Sequence, residues 1–168
     1  MSIELPTVVC DTREQAPWVP WISHGGKRLL LPVVRRKLDA GDYSIEGHEH
    51  EIAIERKSLN DWVGTMFGKS ANGEPSWERF KREIERVKAT GLQRFAVYVE
   101  ASRDDVKLQS YRSQVKPASV LGRSDSLWPD HGIAVQWMGD RPEAERTAAW
   151  SLYRWWEGRR RLAQGSAA

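Results

Sequence analysis

Residues 41–61 read GDYSIEGHEHEIAIERKSLND, and this stretch decides the fold. Its second half, EIAIERK, alternates side chains between two faces with the period-two geometry of a strand. Ile52, Ile54 and Arg56 fall on one face, and Glu51, Ala53, Glu55 and Lys57 on the other. The first half, GDYSI, forms the opposing arm of a hairpin around the polar tip EGHEHE. A helix is expected to start at Ser58, with Asp61 three residues on in capping-box-like spacing. Leu59, Trp62, Val63, Met66 and Phe67 make its apolar side. The strand therefore ends in Glu-Arg-Lys just where the hairpin brings Asp42 alongside.

Working outward, PTVVCD is a short β-branched strand ending at Asp11, and REQAPWVPWISHGG reads as turn-rich loop. KRLLLPVVRRKL is a strand with a proline flaw, expected at a sheet edge or a bend. Beyond the loop 68–75, Ser76 is expected to cap a second helix carrying Trp77, Phe80, Ile84 and Val87 at helical spacing. LQRFAVYVEA (92–101) is a strand. Residues 102–131 read as helix in two pieces, one starting at Pro117. GIAVQWM is a strand, and RPEAERTAAWSLYRWWEGRRRL closes the chain as a long helix. The pattern is an α/β fold with a mixed central β-sheet flanked by helices.

Composition narrows the class. The chain has 168 residues, 40% hydrophobic and 29% charged, which suits one globular domain with a core over about 7–155 and a basic helix end at 156–168. No apolar run reaches the ~18 residues of a membrane span. The N-terminus has neither the basic start nor the apolar stretch of a targeting peptide. A single cysteine, Cys10, favours a reducing, cytoplasmic setting and reads as inert core. The net charge of +3 and pI of about 9.1 permit a polyanionic partner. Cations cluster at 27–37 and 154–161. Trp18 and Trp21 are expected to cover the core, with stacking on bases as the alternative. His48 and His50 lack the further ligands zinc needs.

Taken singly, each polar motif is bland: Gly41-Asp42 a turn, Glu55-Arg56-Lys57 a solvated strand end, Asp61 a cap, Asp11-Thr12-Arg13-Glu14 a charged loop. Together and in order they resemble a known family. GDY, 11 residues, then ERKSLND fits the GDxₙERKx₃D signature of the ERCC4-type nuclease domain of the XPF, MUS81 and Hef nucleases. VVCDTRE is similar to that family's upstream element, and RFKREIERVKATGLQRFAVYVEA to the helix and strand that follow.

The resemblance implies a three-layer restriction-endonuclease-like fold and Mg²⁺- or Mn²⁺-dependent hydrolysis of branched, flap or fork DNA in repair or recombination. It implies that Asp42 and Glu55 bind the metal, with the Arg56 carbonyl as a further ligand and Glu14 and Asp11 completing the acidic shell. Lys57 would contact the attacking water or the scissile phosphate. Arg13 and Arg56 would hold phosphate or brace carboxylates, and Asp61 would orient the shell. Family members often carry a helix-hairpin-helix tail or a helicase domain, for which 168 residues leave no room. Grip on DNA is then expected from the domain itself, from a homodimer or from a nuclease or helicase partner. Alternatives are a Holliday-junction resolvase or sequence-specific nuclease on this fold, and a non-cleaving scaffold subunit.

Overall fold

The computed structural model describes residues 3–165. The part of the basic helix end that falls at 166–168 lies outside the described residues. Six strands form one mixed sheet: β1 (Val8–Cys10), β4 (Val33–Arg35), β5 (Tyr43–Ile45), β6 (Ile52–Lys57), β7 (Arg94–Val99) and β8 (Ala134–Trp137). Their order is β4-β1-β5-β6-β7-β8. β1 and β5 are antiparallel, as are β5 and β6, while β6, β7 and β8 run parallel.

The segment before β5 departs from the sequence reading in one respect and follows it in another. The tryptophan- and proline-rich run read as loop contains β2 (Trp21–His24), which pairs with β3 (Lys27–Leu30) in a separate two-stranded sheet. Pro32 then breaks the KRLLLPVVRR segment into β3 and β4. After this bend β4 takes the outer edge of the main sheet, parallel to β1. An edge is where a strand interrupted by proline loses least, since one row of its backbone groups needs no partner.

Parallel β6 and β7 need a crossover, supplied by α1 (Leu59–Phe67) and α2 (Ser76–Ala89). Ser58 caps α1 by accepting the Asp61 amide at 3.2 Å. Ser76 does not cap α2. The cap position is Pro75, with no side-chain hydrogen bond, and Ser76 is the first helical residue. Crossing from β7 to β8 takes α3 (Arg103–Lys107) and α4 (Pro117–His131), two pieces with Pro117 in the first turn. α5 (Arg141–Gly165) closes the fold.

The sheet is buried on both faces, making three layers. Val97 and Val99 pack with Trp62, Phe80, Ile84, Val120 and Leu127 from α1, α2 and α4. On the other face Val8, Tyr43, Ile45, Ile54 and Tyr98 pack with Ala148, Leu152 and Tyr153 of α5 and with Trp18 and Ile22. Trp18 is buried and stacks on Tyr43 at 4.5 Å, so it belongs to the core as expected. Cys10 is fully buried, and burial pushes its thiol up, which suits an inert core position. Among the described residues no helix is long and apolar enough to cross a membrane.

Candidate active site

The site is built at the C-terminal end of β6. Tyr43 lies opposite Ile54, which sets Asp42 across from Glu55 on the same face of the sheet. Gly41 makes this possible. Its φ is +68°, and a Cβ there would sit 3.0 Å from the Ile54 carbonyl oxygen and 3.1 Å from the Ala53 Cβ. Only glycine fits both the left-handed backbone and the close approach. Asp42 then ties three segments together. Its amide donates to the Ile54 carbonyl (2.9 Å), its carbonyl accepts the Asp11 amide (2.8 Å), and its Oδ2 accepts the Arg56 amide (2.8 Å).

The two faces at this strand end are electrostatically different. On one, Asp42, Glu55 and Lys57 form a group of two carboxylates with one ammonium in reach: Lys57 Nζ meets Glu55 Oε1 at 2.6 Å. Burial and then the Glu55 charge push the Asp42 carboxyl up to about 7. Burial also pushes the Glu55 carboxyl up, against the pull of Lys57. Burial would lower the Lys57 ammonium, but Glu55 and Asp42 outweigh it and hold the proton on. Lys57 is therefore a cationic donor and not a proton acceptor.

On the other face Arg56 is saturated. It grips Glu100 with two parallel bonds of 2.8 and 2.9 Å and reaches Glu14 at 3.2 Å. Glu100 also accepts the Trp18 indole N–H at 2.6 Å. Burial would raise the Glu100 carboxyl, yet Arg56 and Trp18 hold it below its usual range. Glu14 thus answers Arg56, and its charge also acts on Asp42.

The sequence-predicted residues consequently divide. Asp42, Glu55 and Lys57 come together. Asp11 lies at the adjacent strand end, but its oxygens are occupied by Arg13 Nε (2.8 Å), Arg13 Nη2 (3.0 Å), the Arg13 amide (2.7 Å) and the Leu38 amide (2.6 Å). Burial would raise its carboxyl; those donors win and hold it at about 2. Such an acid is a brace for the 38–42 turn, and Arg13 is the partner that saturates it. Asp61 is exposed and accepts the Ser58 hydroxyl at 2.6 Å in the first turn of α1.

Two further carboxylates belong to this region and the sequence reading passed over both. Glu100 follows β7, the parallel neighbour of β6, and such strand ends are where α/β sheets place ligands. Glu83 comes from α2. Ala53 packs against Val87, and α2 runs back against the direction of β6 and β7 because it links them. Two residues up β6 (~6.6 Å) match four residues back along α2 (~6 Å), which carries Glu83 over Glu55. Its charge acts on Glu55, Lys57 and Arg13. Glu83 is half-buried and, among the described residues, has no hydrogen bond or ion pair.

The donor set suits a hard divalent cation. Asp42 and Glu55 offer carboxylate oxygens whose mutual repulsion such an ion would relieve. Among the described residues no group of three His, Cys, Asp or Glu side chains converges on one point. The remaining coordination would fall to backbone carbonyl, water and substrate oxygens, the habit of Mg²⁺. A cavity of about 700 Å³ lies elsewhere, between the start of β6–β8 and α5, lined by Ile52, Ala96, Tyr98, Ser151 and Trp155. No carboxylate lines it, so the polar strand end and not this cavity is the candidate active site.

A mixed sheet sandwiched between helices, with acids and a lysine at one strand end, defines a restriction-endonuclease-like α/β fold. The ERCC4 domain matches residues 10–149, and the chain belongs to that family. It is similar in structure to XPF from Aeropyrum pernix, at TM-score 0.61 and 21% identity over 89% of this chain and 60% of that one. A second structure, XPF from Aeropyrum pernix in complex with DNA, matches at TM-score 0.60 and 20% identity, covering 91% of this chain and 66% of that one. The chain thus spans less than two thirds of each. No curated protein sequence matched it.

Proposed function

We propose that the chain is a single-domain, Mg²⁺- or Mn²⁺-dependent endonuclease that hydrolyses phosphodiester bonds in DNA, with preference for branched, flap or fork structures. One observation carries the reading. Two neighbouring carboxyls, one pushed up to about 7, share a strand end with a lysine that stays charged. That arrangement costs stability, as a buried charge cluster does, and is useful chiefly with a cation and a phosphate to neutralise it. The family membership and the DNA-bound structural neighbour support the same reading.

Asp42 and Glu55 would hold the metal, with the Arg56 carbonyl beside them. Bound there, the metal supplies an activated water and charge neutralisation at the phosphorus. Lys57 Nζ donates to the attacking water or to a non-bridging phosphate oxygen. The water adds in line, the P–O3′ bond breaks, and a 3′-hydroxyl and a 5′-phosphate result without a covalent enzyme intermediate. Arg56, locked on Glu100 and Glu14, holds the strand end in shape so that its amide keeps Asp42 in place. Asp61 would orient this group through the start of α1.

The test is cleavage of labelled flap, fork, four-way-junction and linear duplex DNA with Mg²⁺, Mn²⁺ or EDTA, comparing wild type with Glu55→Gln. Metal-dependent cutting at branch points, lost in the variant, is expected. Symmetric cutting of four-way junctions alone would mark a resolvase, and cutting at a fixed sequence in linear duplex a restriction-like enzyme. DNA bound but never cut would mark a scaffold subunit, and equal cutting by the variant would refute the site.

A further inference from the structure

A second cavity, about 360 Å³, opens beside the site between the 37–40 turn and the end of α2. Arg13, Lys37 and Arg86 line it, with Asp39 as the one acid. Lys37 and Arg86 are exposed and, among the described residues, make no ion pair. That sets them apart from the basic C-terminal segment. There Arg154 and Arg161 pair with Glu157, Arg159 with Glu51 and Arg160 with Glu4. Arg13 spends Nε and Nη2 on Asp11 and the Leu38 carbonyl, which leaves Nη1 without a hydrogen bond among the described residues.

The position matters as much as the charge. Ala40 and Val87, two lining residues, pack on Ala53. Ala53 shares its face of β6 with Glu55 and Lys57, so the cavity lies on the side of the sheet where Asp42 and Glu55 meet. It is one side-chain step, ~6.6 Å, back along the strand. Along the duplex axis each strand carries a phosphate about every 3.4 Å, and winding around the axis sets neighbouring phosphates further apart than that, so the step is on the scale of one nucleotide. The Arg13 charge also acts on Glu55, which links cavity and site electrostatically. Arg86 sits in the last turn of α2, where it offsets the negative end of that helix.

We propose that this cavity is a phosphate-binding subsite, seating a backbone phosphate of the cut strand that neighbours the scissile one. The proposal rests on the nuclease reading for its ligand, while its anion site stands on the three cations alone. Lys37 and Arg86 are its grip, and Arg13 couples it to the site. Such contacts position the strand and carry no sequence information.

The test compares wild type with Lys37→Ala/Arg86→Ala. Both residues are exposed, so the variant should melt like wild type. Fork-DNA affinity is measured by fluorescence anisotropy in EDTA over a salt series, with cleavage at saturating DNA in Mg²⁺. Melting with and without inorganic pyrophosphate serves as a DNA-free probe. The expected result is a roughly tenfold weaker affinity, the loss of a charge-assisted contact, and a salt slope lowered by about 2. Cleavage at saturation should be unchanged, and pyrophosphate should raise the melting temperature of wild type only. If wild type cuts DNA but the variant keeps affinity and slope, the subsite is wrong and the nuclease reading survives. If wild type neither binds nor cuts DNA, the nuclease reading falls. Pyrophosphate stabilisation confined to wild type would then still support the anion site, and its absence would overturn that too.

Discussion

The two faces of β6 at its C-terminal end are three residues of one strand with opposite electrostatic designs. Arg56 meets acids that answer it almost bond for bond, with Glu100 bidentate and Glu14 behind. Across the pleat, Asp42 and Glu55 repel each other, and the Lys57 ammonium bonds to Glu55 alone among the described residues. The satisfied face is what a fold uses to hold a strand end still. The strained face is what a site for a cation and an anion looks like before either arrives. Period-two alternation thus separates holding from chemistry within three positions.

The largest effects should come from swapping the targets. Glu55→Gln should cut nuclease activity by at least roughly 10²–10³-fold while the protein melts at or above the wild-type temperature. Arg56→Ala should do the reverse in kind, leaving Glu100 and Glu14 half-buried and unpaired at a cost of about 3–5 kcal/mol. Chemical denaturation of both variants checks this. A stable Arg56→Ala or an unstable Glu55→Gln would dissolve the comparison.

Next in size is the hinge that joins the faces. Gly41→Ala meets both a positive φ and a Cβ 3.0 Å from the Ile54 carbonyl oxygen, so about 1–3 kcal/mol should be lost, and cleavage should fall with it. Unfolding curves and cleavage rates on the same preparation would show whether the turn matters to both.

A pH comparison sharpens the point. Asp42 has its carboxyl raised from 3.8 to about 7 in the folded chain. A raised acid favours the folded state below its unfolded pKa and loses that contribution as pH rises through about 4 to 7. Metal-free Asp42→Asn should therefore be more stable than wild type at pH 8, by about 1–3 kcal/mol, with the gap closing near pH 4. Melting at several pH values in EDTA reads this directly. A gap independent of pH would mean that Asp42 is not strained.

The smallest effect separates a cap from a catalytic role. Asp61→Ala should cost about 0.5–1 kcal/mol through the first turn of α1. A loss of activity beyond roughly tenfold at unchanged folding would mean that Asp61 orients the site as the family resemblance implies.

Much of this was legible in the chain. The alternation of IAIERK placed Arg56 opposite Glu55 and Lys57, and the hairpin brought Asp42 to them, because period and turn are local properties. The β2–β3 pair was not legible. Prolines and a Gly-Gly turn disguised its short arms, and its partner is itself rather than the main sheet. The bond from Arg56 to Glu14 was not legible, since sequence order cannot say which side chains of a neighbouring strand a loop residue will reach. Glu83 was hidden among the charges of an amphipathic helix. Only the antiparallel run of α2 over β6 distinguishes it from its solvated neighbours.

The most direct measurement of the division is calorimetric titration of Mn²⁺ into wild type, Glu55→Gln and Glu14→Gln at pH 7.5. The two-face account predicts that binding is lost with Glu55→Gln and kept with Glu14→Gln. Binding that survives Glu55→Gln but fails with Glu14→Gln would place the cation on the Arg56 side and contradict it.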